Sequence, residues 1–158
     1  MKILIIKPSS LGDIIHALRV VQQIKVKMNC VSIDWVIKSG LEDIIRECGF
    51  VDKILTFYRG EGFVSYVQLM LQIRSCNYDY VIDMQGLLRS ALMTALSRAR
   101  KKIGRADGRE FSTLFYKNVG FFKPNENLHA IEILAQFLKE LRLDDFDSNL
   151  PLFFKTKN

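Results

Sequence analysis

A short polar stretch near the amino terminus, Ser9-Ser10-Leu11-Gly12-Asp13, contains residue types that can perform acid–base chemistry. The hydroxyl groups of Ser9 and Ser10 can cap a helix, and Gly12 lets a ligand approach the backbone closely. Asp13 is expected in the first turn of that helix, where the positive end of the helix dipole favours the ionised carboxyl group. A carboxylate held there can accept a proton from an incoming hydroxyl group.

The same stretch also has a purely structural interpretation, because Ser and Asp are the ordinary residues of a helix start. It lacks the second Gly-Lys-Ser/Thr of a nucleoside-triphosphate loop and the three spaced glycines of a dinucleotide site. Spacing therefore excludes these two phosphate loops and leaves both catalysis and simple capping open.

The elements around this stretch predict where it lies. Residues 3–6 form an unbroken β-branched and leucine run, typical of a strand buried on both faces. The apolar residues from Leu11 to Val21 are spaced by three and four, which predicts a helix over residues 12–27. The polar turn thus follows the carboxyl end of a buried strand, where open α/β sheets bind ligands.

The rest of the chain alternates in the same way. Its patterns predict strands at 31–37, 53–57 and 78–84, and helices at 41–48, 64–75, 87–99 and 127–141. Alternation of this kind predicts an α/β fold with a parallel sheet and right-handed crossovers. The middle of the basic segment 98–105 is a candidate for a short fifth strand. That segment is otherwise interpreted as a solvated face or a contact with an anionic membrane surface, since no aromatic residues are interleaved for nucleic-acid stacking.

Two longer blocks carry a resemblance to a known family. They are Lys7-Pro-Ser-Ser-Leu-Gly-Asp-Ile-Ile-His-Ala-Leu18 and Tyr80-Val-Ile-Asp-Met-Gln-Gly-Leu-Leu-Arg-Ser-Ala91. Both resemble motifs of the bacterial lipopolysaccharide heptosyltransferases, glycosyltransferase family nine, and most of all its heptosyltransferase I members. One departure is Arg19, which stands where these relatives commonly have proline.

The resemblance implies a Rossmann-like parallel sheet with helices on both faces, the amino-terminal domain of a GT-B glycosyltransferase. By this comparison residues 1–145 are an acceptor-binding domain, and residues 146–158 are the start of an interdomain linker. The donor-binding second domain of the family is not covered by this sequence. Pro151 and the acidic residues between 144 and 147 agree with a linker.

The resemblance also implies roles for individual residues. Asp13 is expected to be the catalytic base of an inverting transfer. Contacts with an acidic acceptor are expected from residues at the strand ends and in the loops that follow them, namely Lys7, Ser9, Ser10, Gly12, Arg59, Gln85, Gly86, Arg109 and His129. The alternatives for these residues are structural: a solvated strand end for Lys7, a solubilising arginine at 59, a small residue at a helix entry for Gly86, and a helix cap for His129.

The reaction implied by the family moves heptose from ADP-heptose to the 3-deoxy-octulosonic acid of the lipid A precursor. It would occur at the cytoplasmic face of the inner membrane, with the protein bound peripherally and with no nucleic-acid partner. The net charge of +6 fits an acceptor or a membrane surface rich in anionic groups. No cofactor is expected, and no cluster of metal ligands is evident from the spacing of His, Cys, Asp and Glu.

Composition sets further bounds and leaves rival functions. The chain has 158 residues, 49% of them hydrophobic, which suits one folded domain. Its three cysteines lack paired spacing and are expected to be reduced thiols, and neither a signal peptide nor a membrane-spanning run is evident. The rivals are a family-nine transferase for another sugar, a non-catalytic module that binds an anionic glycolipid, and one half of a split enzyme. A receiver-like signalling domain is disfavoured because Lys7 and Ser9 stand where an acidic cluster is needed.

Overall fold

The computed structural model describes residues 1–60, 62–120 and 129–154. In these ranges strands and helices alternate along the chain. The strands are Lys2–Ile6 (β1), Ser32–Lys38 (β2), Lys53–Phe57 (β3), Asn77–Asp83 (β4), Arg98–Arg105 (β5) and Lys117–Val119 (β6). The helices are Leu11–Lys27 (α1), Glu42–Cys48 (α2), Gly62–Arg74 (α3), Leu88–Leu96 (α4) and Ala130–Glu140 (α5), with a short 3-10 turn at Ser112–Leu114.

The strands form one parallel sheet in the order β3-β2-β1-β4-β5-β6. The chain moves outward in one direction from β1 to β3 and then returns to the other side of β1 with β4. The order therefore changes direction between β1 and β4, where Ile6 is in register with Asp83. In open α/β sheets the crevice at the carboxyl ends of two such strands is the usual ligand site.

Helices cover both faces of the sheet, as predicted. Ile3 and Ile5 of β1 pack in one cluster with residues of α1, α2 and α5, while Leu4 and Ile6 pack on the other face with residues of α3 and α4. All four side chains are fully buried. The predicted α/β class and the two-sided burial of the first strand are thus confirmed.

The basic segment is a correction. Helix α4 ends at Leu96 rather than near residue 99, and all of Arg98–Arg105 forms β5, paired with β4 and β6. Its charged side chains are engaged by the chain itself: Arg100 lies beside Asp79, and Lys102 donates to the carbonyl oxygen of Ala95. The sequence did not predict the whole strand because most of its residues are charged. Near the edge of a sheet, charged side chains can extend into solvent and a strand is still possible.

The region after β5 also differs from the prediction. Strand β6 was not predicted, since three residues are too few to show a period. Helix α5 has His129 as its N-cap residue, and the predicted helix start at 127–128 lies outside the described residues. No helix in the described ranges is both long and apolar enough to cross a bilayer.

The segment after α5 lies along α1. The side-chain amide of Gln22 donates to the carbonyl oxygen of Pro151 and accepts from the backbone N–H of Phe153. The amide of Gln23 forms the same reciprocal pair with the backbone of Asp147. Residues 147–153 belong to the segment predicted as the start of a linker. Their backbone groups are therefore bound by glutamine side chains of α1, the helix that begins at the polar turn.

Candidate functional site

The turn after β1 is fixed at three points. The indole Nε1–H of Trp35 donates to the carbonyl oxygen of Lys7, at 3.2 Å, and the N–H of Lys38 donates to that of Pro8, at 3.0 Å. The N–H of Ser9 is directed at Oε1 of Gln85, at 3.4 Å. The turns after β1 and β4 therefore lie side by side.

Asp13 lies in the first turn of α1, one helical turn from its N-cap residue Ser10. Its Oδ2 atom accepts from the hydroxyl of Ser10, at 3.0 Å, and from the backbone N–H of Ser10, at 3.3 Å. The Nζ atom of Lys7 lies 3.5 Å from the same oxygen. The Ser10 hydroxyl therefore donates to the carboxylate, and Asp13, by accepting from the N–H of Ser10, also takes part in a capping box at the start of α1.

These contacts keep Asp13 ionised. Partial burial alone would raise the pKa of its carboxyl group, but the Lys7 ammonium and the two Ser10 donors outweigh burial and leave the pKa below its usual value. The side chain is 45% exposed. Asp13 is accordingly a charged carboxylate that a hydroxyl group can reach from solvent.

Lys7 is buried, with 2% of its side chain exposed, so its interpretation as a solvated strand end is wrong. Burial lowers the pKa of its ammonium group, and the positive charge of Arg105 lowers it further, while Asp13 opposes the shift. Lys7 is buried because β1 lies in the middle of the sheet and Lys7 directly follows its buried residues. Its ammonium group forms an ion pair with Asp13 of the same chain.

The turn after β4 is organised by a buried carboxyl group. Oδ1 of Asp83 accepts from the N–H groups of Gln85 and Gly86, both at 2.9 Å, and Oδ2 accepts from the Ser90 hydroxyl, also at 2.9 Å. Burial raises the pKa of Asp83 to about 6 although these donors and the nearby Lys7 ammonium favour its ionised form. Asp83 thereby holds the turn that presents the side chain of Gln85.

Gly86 requires the absence of a side chain. Its φ of 71° is left-handed, and a Cβ atom there would lie 3.2 Å from the Cα of Gly108 and 3.4 Å from the Cδ of Arg105. Its carbonyl oxygen accepts from the N–H of Arg109, at 2.8 Å, and from the Ser112 hydroxyl. The structural interpretation of Gly86 is therefore sufficient to explain its presence.

A cavity of about 240 Å³ opens beside the two turns. Three of its lining residues are cations and one is an acid, and the remainder are polar or apolar. Its lining comprises Pro8, Ser9, Lys38, Phe57, Arg59, Gln85, Leu87, Arg89, Ser90, Met93 and Glu110. The predicted residues Ser9, Arg59 and Gln85 thus meet at one cavity, whose cations suit carboxylate or phosphate groups.

Other predicted residues lie apart from this cavity. Lys7, Ser10, Gly12 and Asp13 are on the α1 side of the turn and do not line it. An adjoining apolar cavity of about 570 Å³ shares Phe57, Arg89 and Glu110 with it and extends toward α3.

Arg109 and His129 contribute less directly. Arg109 is exposed and meets the turn through its backbone, while the exposed His129 caps α5. The His129 ring packs edge-on against His16 of α1, at 5.1 Å between centroids. The Nδ1 atom of His16 is buried without a hydrogen-bond partner among the described residues.

Four residues of the site were missed at the sequence level, one of them Lys38 at the end of β2. Asp83, the last residue of β4, and Arg89, in the first turn of α4, stand inside the second family-like block, and that position around the end of a buried strand was the available signal. Arg105 ends the basic segment, where the density of charge obscured it. In the structure both Nε and Nη2 of Arg105 donate to the carboxylate of Asp107, which fixes the guanidinium near the strand ends.

Curated proteins with similar sequences are named as lipopolysaccharide heptosyltransferases. The chain is similar to lipopolysaccharide heptosyltransferase 1 of Campylobacter coli, with 32% identity over 131 residues, which cover 81% of this chain and 38% of that protein. The Salmonella typhimurium protein of the same name is 28% identical over 157 residues, covering 91% of this chain and 49% of its own. The chain thus spans less than half the length of these relatives.

Solved structures agree in fold. The chain superposes on the Escherichia coli heptosyltransferase WaaC with ADP at a TM-score of 0.79 and 26% identity, covering 92% of this chain and 49% of that one. A glycosyl transferase family 9 structure from Veillonella parvula, at 16% identity, shares the fold with a TM-score of 0.79 over 99% of this chain and 45% of its own. The sequence model of glycosyltransferase family 9 (heptosyltransferase) matches residues 66–152, more than half of the sequence, and the chain therefore belongs to that family.

Proposed function

We propose that this chain is the acceptor-binding part of a lipopolysaccharide heptosyltransferase of the heptosyltransferase I type. In the proposed reaction heptose passes from ADP-heptose to a hydroxyl group of 3-deoxy-octulosonic acid on the lipid A precursor. The chain contributes the base and the acceptor contacts, and the ADP-sugar is held mainly by a second, donor-binding domain like that of the family. Residues 146–158 are proposed to lead toward that domain.

The observation that carries the proposal is the exposed, ionised carboxylate of Asp13 at the point where the sheet order changes direction. An inverting transfer needs a base that removes the proton of the acceptor hydroxyl while its oxygen attacks the anomeric carbon. The carboxylate takes that proton, the new glycosidic bond forms on the opposite face of the sugar, and the ADP leaves with the bonding electron pair. No step assigned to this chain requires a metal ion.

Acceptor recognition is proposed for the cation-lined cavity beside the turn that precedes this base. Arg59, Lys38 and Arg89 suit the carboxylate and phosphate groups of a lipid A precursor, and Ser9 and Gln85 offer polar contacts with its sugar hydroxyls. The relative solved with ADP-2-deoxy-2-fluoro heptose supports the choice of donor. The positive net charge supports a peripheral position at the anionic, cytoplasmic face of the inner membrane.

The decisive experiment replaces Asp13. In an enzyme that joins this chain to the donor-binding domain of a relative, Asp13→Asn is expected to lower kcat by about 10²- to 10⁴-fold, since general-base catalysis contributes that much. The matched control is Asp43→Asn in α2, whose carboxylate is 92% exposed and paired with Arg46. Unchanged turnover in folded Asp13→Asn enzyme would remove this residue from the role of base.

The same preparation separates the transferase from a non-catalytic binding module. Such a module would bind the acceptor without turnover even when it is joined to a donor-binding domain, and Asp13→Asn would leave that binding unchanged. Half of a split enzyme would gain turnover in the joined enzyme and show none as the isolated chain.

A further inference from the structure

Lys7 poses a question that acceptor binding does not answer. A lysine with 2% of its side chain exposed is unusual, since an ammonium group loses its hydration on burial and needs compensation from the protein. With so little of its side chain exposed, Lys7 offers an acceptor almost no surface to contact. Its backbone is also fixed, because Trp35 donates to its carbonyl oxygen and Lys38 donates to that of Pro8.

The contacts of Asp13 answer the question, because they fall on one of its two oxygens. Oδ2 faces the Nζ atom of Lys7 at 3.5 Å and accepts both the hydroxyl and the N–H of Ser10. Among the described residues nothing donates to Oδ1. The carboxylate is therefore divided into an oxygen engaged by the chain and an oxygen open to solvent.

We propose that Lys7 is a positioning residue that, together with Ser10, holds Oδ2 of Asp13 and leaves Oδ1 to receive the proton of the substrate hydroxyl. This inference rests on the proposed function for the identity of the substrate but concerns contacts within the chain. Lys7 touches no substrate in this arrangement. It fixes the direction of the carboxylate and keeps it charged.

The surroundings of Lys7 favour Asp13 as its main partner. Asp83 approaches from the end of β4, but its own oxygens already accept from Gln85, Gly86 and Ser90. Arg105 approaches from the end of β5, and its guanidinium is bound in two places by Asp107. Among the described residues, Asp13 is the acid that lies within ion-pair distance of the Lys7 ammonium group, at 3.5 Å.

The test measures Asp13 itself, by carbon-13 NMR titration of its carboxyl group in this chain. Loss of the opposite charge in Lys7→Met is expected to raise the titration midpoint of Asp13 by about 1 pH unit or more. Lys7→Arg, which keeps the charge, is expected to restore most of the shift. Lys53→Met is the matched control, because Lys53 is exposed at the amino end of β3, on the opposite edge of the sheet.

A reciprocal measurement covers the case in which Lys7→Met fails to fold. In Asp13→Asn the nitrogen-15 titration of the Lys7 ammonium is expected to shift to lower pH, since its partner is lost. An unchanged Asp13 midpoint in folded Lys7→Met, or an unchanged Lys7 midpoint in Asp13→Asn, overturns the inference. Neither outcome bears on the proposed transferase activity, which the turnover of Asp13→Asn tests separately.

Discussion

At the scale of single residues, Asp83 shows how a buried acid can organise a turn at a cost in stability. Its carboxylate accepts hydrogen bonds from two backbone N–H groups and one hydroxyl group, so both of its oxygens have partners. Burial nevertheless raises its pKa to about 6, which means that the folded protein disfavours the charge. The geometry of the second turn therefore makes the stability of the chain depend on pH.

The sign of this dependence follows from the two states. In the unfolded chain an aspartate ionises near pH 4, whereas in the folded protein Asp83 keeps its proton up to about pH 6. The folded state thus holds the extra proton, and the contribution of Asp83 is complete below pH 4. It is lost as the pH rises to about 6, and amounts to at most about 3 kcal/mol of unfolding free energy.

We predict that Asp83→Asn removes this slope. An amide keeps one oxygen for the N–H groups of Gln85 and Gly86, and its NH₂ group can donate to the Ser90 hydroxyl, whose own proton is then free for the carbonyl oxygen of Leu87. Urea unfolding at several pH values is expected to show the variant gaining on the wild type between pH 4 and 6. Asp43→Asn serves as the exposed control, and parallel curves for wild type and Asp83→Asn would contradict the assignment.

At the scale of elements, α1 connects the two ends of the chain. Its first turn carries Asp13, and two turns later the buried amides of Gln22 and Gln23 hold the segment 147–153. Each side-chain amide donates one hydrogen bond to a backbone carbonyl oxygen and accepts one from a backbone N–H group, as a neighbouring strand would. The segment is thereby held without a strand or helix of its own.

We predict that Gln22→Leu combined with Gln23→Leu releases this segment. The change leaves four backbone groups without partners, namely the N–H groups of Asp147 and Phe153 and the carbonyl oxygens of Asp147 and Pro151. Each group that stays buried is expected to cost about 1–3 kcal/mol. Hydrogen exchange of those two amides, followed by NMR, is expected to lose its protection, and the free energy of unfolding to fall. Gln68→Leu, on the exposed side of α3, is the matched control. Retained protection at residues 147 and 153 would show that other contacts hold the segment.

The elements also show how far the sequence could predict the structure. Periodicity and residue type predicted the first four strands and their helices, because residues 3–6 of β1 are apolar without interruption, β2 is apolar apart from Ser32, Asp34 and Lys38, and Gly49 ends α2 with a left-handed φ of 72°. Strand β5 was obscured by its charges, and the reciprocal bonds of Gln22 and Gln23 have no signature in a single sequence. The candidate site divided similarly: Asp13 followed from its place in the first turn, whereas the burial of Lys7 depends on where β1 lies in the sheet.

At the scale of the whole molecule, the chain carries a net charge of +6, and several of its cations are concentrated at the candidate site. Lys38, Arg59 and Arg89 surround the 240 Å³ cavity with one opposing acid, Glu110. Arg89 also lies over the ring of Phe57, with 5.4 Å between its Cζ atom and the ring centroid, which directs its guanidinium along the cavity wall. We therefore expect an anionic ligand to be attracted by the overall charge and held by these particular side chains.

These two contributions are separable by a pair of double variants that remove equal charge. Arg59→Met with Arg89→Met is expected to weaken binding of a phosphorylated glucosamine disaccharide bearing 3-deoxy-octulosonic acid by about 10-fold or more, because charge-assisted contacts in the cavity are lost. Arg46→Met with Arg98→Met, two exposed residues away from the cavity, is expected to change binding less than 2-fold, the margin that screened long-range attraction leaves at about 0.15 M salt. Isothermal titration calorimetry with this chain gives both dissociation constants. Equal weakening in the two double variants would mean that the net charge alone attracts the ligand, and that the cavity does not select it.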